Sequence, residues 1–233
     1  MGYLEFPPYT YTDEQGQPAG HLLDFLQLVA QQAGYRTQFT EYPTNRLFKS
    51  METGQIEMSP SLIRHPLMSA YTLRSRYLVA RVMLNLYYKD HPPPAQLEDL
   101  RDVRVLRIQG LRYPGSPLAA LARKPANGIV LVTAPTHVAA VQMMELHRAD
   151  YLLDYLDPAE AAFKESKLPV LPSVTLLQQD FTIAYAMASP RASQLRDDLD
   201  RAIDQLRAKG ALPERYDEVF PYDSEVVSPP PLH

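Results

Sequence analysis

Residues 136–154 read THVAAVQMMELHRADYLLD. Thr136 carries a side-chain oxygen suited to capping a helix. Val138, Val141, Met144 and Leu146 then keep the line apolar at helical spacing to about Arg148. Tyr151-Leu152-Leu153 follows as a short continuous apolar run, which suits a strand buried on both faces. A helix feeding a buried strand is the unit from which helix-covered parallel sheets are built. The same alternation extends outward. Upstream, Arg104 to Gln109 reads as a strand ended by Gly110, Ser116 to Ala122 as a helix and Ile129 to Val132 as a strand. Downstream, Pro158 to Lys164 reads as a helix, and Val170 to Leu177 and Phe181 to Ala188 as two further strands.

Earlier in the chain the alternation appears a first time. Gly2 to Phe6 is a short strand stopped at Pro7-Pro8, because proline lacks a backbone donor. His21 to Ala33 is a helix with Leu22, Phe25, Leu26 and Val29 inward, and Gly34 falls where a left-handed cap belongs. Tyr35 to Tyr42 alternates as a strand, Asn45 to Glu52 as a helix ending at Gly54, and Gln55 to Met58 as a strand. Tyr77 to Lys89 is the longest apolar, β-branched and aromatic run, read as one long strand before Pro92-Pro93-Pro94. Near the C-terminus, Ser189 and Pro190 suit a helix start, Leu195, Leu199, Ile203 and Leu206 form its stripe, and Gly210 ends it. Asp197, Asp198, Asp200 and Arg201 are assigned to its watery face. A short helix around 213–219 follows, and the segment 224–233, with three consecutive prolines, reads as a disordered tail.

Composition narrows the function. The 233 residues are 45% hydrophobic and 21% charged with a net charge of −4, an ordinary globular balance that excludes global disorder. No run of ~18 apolar residues is present to span a bilayer. The absence of cysteine excludes thiolate metal sites, iron–sulfur clusters and a cysteine nucleophile. Mild acidity points away from nucleic acid as a partner. No glycine-rich phosphate loop, nucleophile elbow or paired-histidine metal motif occurs, so no cofactor and no metal are expected. Met1-Gly2 runs straight into the first strand, the pattern of a cytosolic chain or of one whose leader has been replaced by a starting methionine.

In order along the chain, landmarks accumulate. Phe6-Pro7-Pro8-Tyr9, then Gly20-His21-Leu22-Leu23-Asp24, then Pro43-Thr44-Asn45-Arg46-Leu47 with Met51 to Glu57, then Leu97 to Leu100 with Val103-Arg104-Val105 and Gln109-Gly110, then Met144 to Asp150 with Asp154, and finally Lys209-Gly210 and Tyr216. Taken together this set resembles the periplasmic solute-binding proteins of family 3, the substrate-binding type of amino-acid ABC transporters. The resemblance implies a bilobal, periplasmic-binding-protein-like (type II) α/β fold with two mainly parallel sheets, flanking helices and a two-strand hinge. Lobe 1 would comprise 1–88 plus 184–233, and lobe 2 would comprise 89–183.

The resemblance also implies site residues. Asp154 matches the aspartate that receives a ligand ammonium, and Tyr9 the aromatic that walls the ligand. Arg64 matches the first arginine of the carboxylate clamp, whose planar fork makes two parallel charge-assisted bonds. The second clamp position is occupied by Met68, and His65 stands where a threonine is usual. After Gly110, the small hydroxyl residues usual there give way to Leu111-Arg112-Tyr113, which would either supply a new anion contact from Arg112 or fill the cleft. Ser61 is a polar contact, and Phe6, His65 and Tyr113 are secondary candidates. The implied function is capture of a small polar solute, an amino acid or related organic acid, in an interlobe cleft for ABC import. The protein would be a monomer in the periplasm, partnered by a permease or a membrane sensor. Two alternatives stand beside it. One is a sensor or interaction module with a degenerate pocket. The other is a cyclohexadienyl-dehydratase-like enzyme, for which His65 and Glu57 are the suggestive groups.

Overall fold

In the computed structural model, residues 1–63, 65, 67–91, 100–111, 113, 116, 127–213 and 216 are described. The clamp candidates Arg64 and Arg112, most of the helix expected over Ser116 to Ala122, the Pro92 to Pro94 spacer and the tail 224–233 lie outside these residues. So does most of the short helix expected at 213–219.

The chain divides into two compact units: Met1–Glu5, Tyr9–Arg81 and Asp180–His233 form the first, and Phe6–Pro8 with Val82–Gln179 the second. Two long strands carry the chain across the main boundary, β6 (Thr72–Tyr88) and β10 (Ser173–Ala186).

In the first unit, β1 (Gly2–Tyr3) pairs in parallel with β4 (Thr40–Glu41), and β2 (Tyr11–Thr12) pairs antiparallel with β3 (Pro18–Ala19). The end of β10 pairs antiparallel with β5 (Met58–Leu62), with Tyr185 opposite Met58. Helix α1 (His21–Gln32) buries Leu22, Phe25, Leu26 and Val29 and packs on α5 (Ala192–Ala208), which buries Leu195, Leu199, Ile203 and Leu206. The ring of Phe25 stacks on Tyr216 with centroids 4.2 Å apart. Helix α2 (Thr44–Glu52) adds Leu47, Phe48 and Met51 to a cluster with Ile56, Met68 and Ala184.

Several local expectations change. The strand expected over Gln55 to Met58 begins only at Met58 and continues to Leu62. Most of Tyr35 to Tyr42 is irregular, and only Thr40–Glu41 form a strand. Val170 to Leu177 and Phe181 to Ala188 are not two strands but one: polar Gln178-Gln179-Asp180 interrupts the hydrophobic pattern, yet contains no glycine or proline to turn the backbone. Asp200, assigned to water, is buried. It accepts from the Ser75 hydroxyl at 2.5 Å and from the Arg76 N–H at 3.1 Å, so its face of α5 rests on β6.

The second unit is built on parallel strands. β7 (Arg104–Ile108) lies between β8 (Val130–Ala134) and β9 (Tyr151–Tyr155), parallel to both. The end of β6 runs antiparallel to β9, with Asn85 opposite Asp154. Helices α3 (His137–Glu145) and α4 (Leu156–Glu165) pack on each other, and their Ala140, Val141, Met144, Ala159 and Phe163 close over Tyr87, Leu106 and Leu152. The α3 helix stops three residues before Arg148. His147 takes a positive φ of 51° and its N–H bonds back to the Met144 carbonyl at 3.0 Å, closing the helix without glycine.

Candidate functional site

Parallel strands leave their ligands at the carboxyl ends, where loops and helix N-termini converge. In the second unit those ends are Ile108, Ala134 and Tyr155. The groups gathered there are Asp154, Tyr155, His137 and Tyr113.

Asp154 is the penultimate residue of β9, and its side chain is wholly buried (0% exposed). Both carboxylate oxygens are engaged within the unit. Oδ2 lies 2.7 Å from His137 Nδ1, and Oδ1 accepts the Tyr155 N–H at 2.8 Å. Burial pushes the carboxyl up, and the His137 contact pulls against it. An isolated buried carboxylate is costly, and a close, hydrogen-bonded partner is what makes it tolerable. His137 is that partner. It occupies the first position of α3, directly after the Thr136 cap, whose side-chain oxygen accepts the Ala139 N–H at 3.0 Å.

Tyr155, the next residue along β9, belongs to an aromatic group. Tyr155 meets Phe6 edge-on at 5.1 Å and stacks on Tyr113 at 5.7 Å. The Tyr155 hydroxyl donates to Gln179 Oε1 at 2.9 Å. Tyr113 has a left-handed backbone (φ 44°), and its hydroxyl accepts the Ile108 N–H at 3.0 Å. Burial, and then the charge of Asp154, hold the hydroxyls of Tyr113 and Tyr155 well above the usual phenol range. These tyrosines therefore act as neutral hydrogen-bonding groups.

Of the expected residues, Asp154, Phe6 and Tyr113 thus fall together in the second unit. Tyr9, Ser61 and His65 belong to the first. Tyr9 is buried, its ring 4.8 Å from that of His21. Ser61, on β5, donates to the Met68 sulfur and to the Leu62 carbonyl, both at 3.2 Å. His65 packs its ring on Phe48 at 4.6 Å, and its Nδ1 accepts the Met68 N–H at 3.4 Å. Met68, at the altered clamp position, is buried in the apolar cluster of this unit. Glu57 is held by Arg191 at 2.7 and 3.1 Å and by the Ser189 hydroxyl at 3.2 Å.

His137 and Gln179 were not among the residues expected at the site. Helical periodicity marks Val138, Val141 and Met144 and leaves His137 at the helix start. Its one legible sign is a titratable residue at a helix N-terminus just past a strand.

No helix among the described residues is long and apolar enough to cross a membrane. Residues 2–222 match the family model of bacterial extracellular solute-binding proteins, family 3. Nothing among curated proteins matches the sequence. Solved structures with similar folds include a histidine kinase sensor domain with similarity to periplasmic binding proteins (20% identity, 95% of this chain and 97% of that one, TM-score 0.75). An ancestral arginine-binding protein bound to arginine is similar at 18% identity, 94% and 96% coverage and a TM-score of 0.73. An ancestral amino acid-binding protein, described as a precursor of cyclohexadienyl dehydratase, is similar at 17% identity, 94% and 93% coverage and a TM-score of 0.69.

Proposed function

The chain belongs to the bacterial extracellular solute-binding proteins, family 3, and from that premise we propose that it captures a small polar solute, an amino acid or related organic acid, for ABC import. Binding rather than turnover is the proposed activity, with the protein working as a periplasmic monomer. The two units serve as its lobes, and β6 and β10 as the hinge between them. The observation that carries this reading is the polar set at the carboxyl ends of β8 and β9. There Asp154 and His137 make a buried pair, and the neighbouring Tyr155 packs with Phe6 and Tyr113. Buried polar groups beside aromatic surface are how small-solute sites fix orientation and exclude water.

The test is isothermal titration of the full chain against amino acids and small organic acids. A micromolar or tighter complex is expected for at least one. Tyr155→Ala, which removes the ring shared by Phe6 and Tyr113, should weaken it by about tenfold or more, as loss of a buried aromatic contact does. Heat changes no larger than dilution across the whole set would refute solute capture.

A second reading has one observation in its favour. Met68 fills the altered clamp position with a buried thioether in contact with Ser61. A first unit without that second arginine suits a sensor module that reports through a membrane partner. Glu57 and His65, the groups suggested for a dehydratase, are engaged by Arg191 and by Phe48 and Met68.

A further inference from the structure

β7 lies between β8 and β9 in the second unit, so its carboxyl end is the middle of the edge at which parallel strands receive ligands. The two sides of that end differ. Toward β8 the ladder continues to Ile108 opposite Ala134, and the Gln109 N–H reaches the Ala134 carbonyl at 2.8 Å. Toward β9 it stops one residue earlier, at Arg107 opposite Leu153. Just past that stop, the Ile108 N–H donates to a side chain, the Tyr113 hydroxyl, at 3.0 Å.

Tyr113 is fixed in this place from several directions. Gly110, with φ 82°, turns the chain after β7, and Leu111 packs against the apolar cluster under α3 and α4. The Tyr113 carbonyl accepts the Ser116 N–H at 3.1 Å, and the ring stacks on Tyr155 at 5.7 Å. The side chain is buried. Its backbone is left-handed (φ 44°), a conformation that a residue of this bulk adopts only where its surroundings hold it. Burial keeps the phenol protonated, so it stands near Asp154 without adding a second charge. A large neutral side chain thus caps the last donor of β7 on the side that faces Asp154 and Tyr155.

We propose that Tyr113 is the specificity-determining residue of the second unit: its phenol fills the carboxyl end of β7, and the space it leaves sets the upper size of the solute. The substrate class is a small solute with a short side chain, and a larger one competes with the phenol for the same place. This rests on the solute-capture reading above. The ring does the excluding, and the bond to Ile108 holds it there.

The test uses the full chain and two series of probes graded in size: L-alanine, L-leucine and L-phenylalanine, and their 2-hydroxy acids lactate, 2-hydroxyisocaproate and phenyllactate. Titration calorimetry gives affinities for the wild type, Tyr113→Phe and Tyr113→Ala. The wild type should favour the smallest member of the series it binds. Tyr113→Ala should move the ratio of large to small by about tenfold or more toward the large member, the scale on which pocket size discriminates. Tyr113→Phe, which keeps the ring and loses the oxygen, should retain the wild-type order. A tyrosine that only supports the fold would weaken every probe alike and leave that ratio unchanged. Should Tyr113→Ala fail to fold, ring ¹H–¹³C NMR of the wild type decides, with Tyr113 assigned from Tyr113→Phe: its signals should shift on addition of the tightest-binding probe. An unchanged ratio in Tyr113→Ala, or an unmoved Tyr113 ring under a saturating probe, overturns the inference and leaves solute capture standing. Binding to Tyr113→Ala alone supports it as complete exclusion by the phenol. No binding of any probe to the wild type or to a folded variant overturns both.

Discussion

Asp200 is the clearest case of a single residue whose setting differs from its sequence appearance. On α5 it lies within a run of acidic and basic residues, and a charge run usually faces water. Its actual partners are Ser75, which donates at 2.5 Å, and the Arg76 N–H at 3.1 Å, both from β6. Ser75 is also buried (2% exposed), so Asp200→Ala strands a hydroxyl and an amide without an acceptor. A stability loss of roughly 1–3 kcal/mol is expected in urea unfolding, the usual range for a buried donor left unsatisfied. Glu57 gives the opposite kind of statement, about pH. The Arg191 guanidinium holds its carboxyl below the usual range, with help from Ser189 and against the effect of burial. A depressed folded-state pKa means the contribution is present above the unfolded-state pKa and is lost as pH falls through the folded one. Arg191→Ala should therefore lower the urea midpoint at neutral pH and flatten its decline between about pH 5 and pH 2; an unchanged slope would show the pair to be energetically silent. At the site, Asp154 is legible because it directly follows an apolar strand. His137 is not, because its partner is seventeen residues away and the pairing exists only once β9 and α3 have folded together.

Elements were more legible than residues where period and punctuation agreed. Both ends of α1 follow from glycines. Gly34 takes a left-handed φ of 81°, and the Tyr35 N–H returns to the Ala30 carbonyl at 2.8 Å. At the other end, Gly20 has φ 117°, and a Cβ there would lie 2.4 Å from the Tyr9 carbonyl oxygen. No L side chain fits that backbone and that distance together. Gly20→Ala should cost roughly 1–3 kcal/mol, read as a fall in thermal midpoint, whereas Gly16→Ala, with open space around its Cβ, should cost less despite φ 75°. Equal losses would show that φ, not the Tyr9 contact, sets the cost. Where period and punctuation disagreed, the reading failed. β10 changes environment midway, from half-exposed Ser173–Asp180 to the buried stretch that ends at Ala186, so its hydrophobic pattern breaks while its backbone continues. The opposite happened in 35–42, where an alternating pattern finds only two residues of partner strand in β1. Alternation predicts which face is buried, but a strand also needs a neighbour to bond.

At the scale of the whole molecule, the two alternating α/β regions were visible because each repeats helix and strand around its own apolar set. The division implied by the resemblance, with both ends of the chain in the first lobe, leaves out one exchange. The first unit draws on both ends of the sequence, and the second takes Phe6–Pro8 from within the first. That excursion brings Phe6 to the ring of Tyr155, a contact spanning most of the chain. The two units are thus covalently interleaved, and the second, which holds Asp154 and His137, has no termini of its own. A solute held at the ends of β8 and β9 binds the native state and not the unfolded chain, so it must raise the unfolding free energy by mass action. At a free concentration 100 times Kd the gain is about 2.7 kcal/mol, and for a chain of this length each kcal/mol moves the midpoint by about 2–4 °C. Calorimetric melting with a saturating binder should therefore shift the transition that contains β9 upward by roughly 5–11 °C. Hydrogen exchange locates the effect. If the solute sits at the Asp154–His137 pair, amide protection should rise first at His137, Val138 and Tyr155. A shift in midpoint with protection gained elsewhere and none at these three would place the solute away from the Asp154–His137 pair.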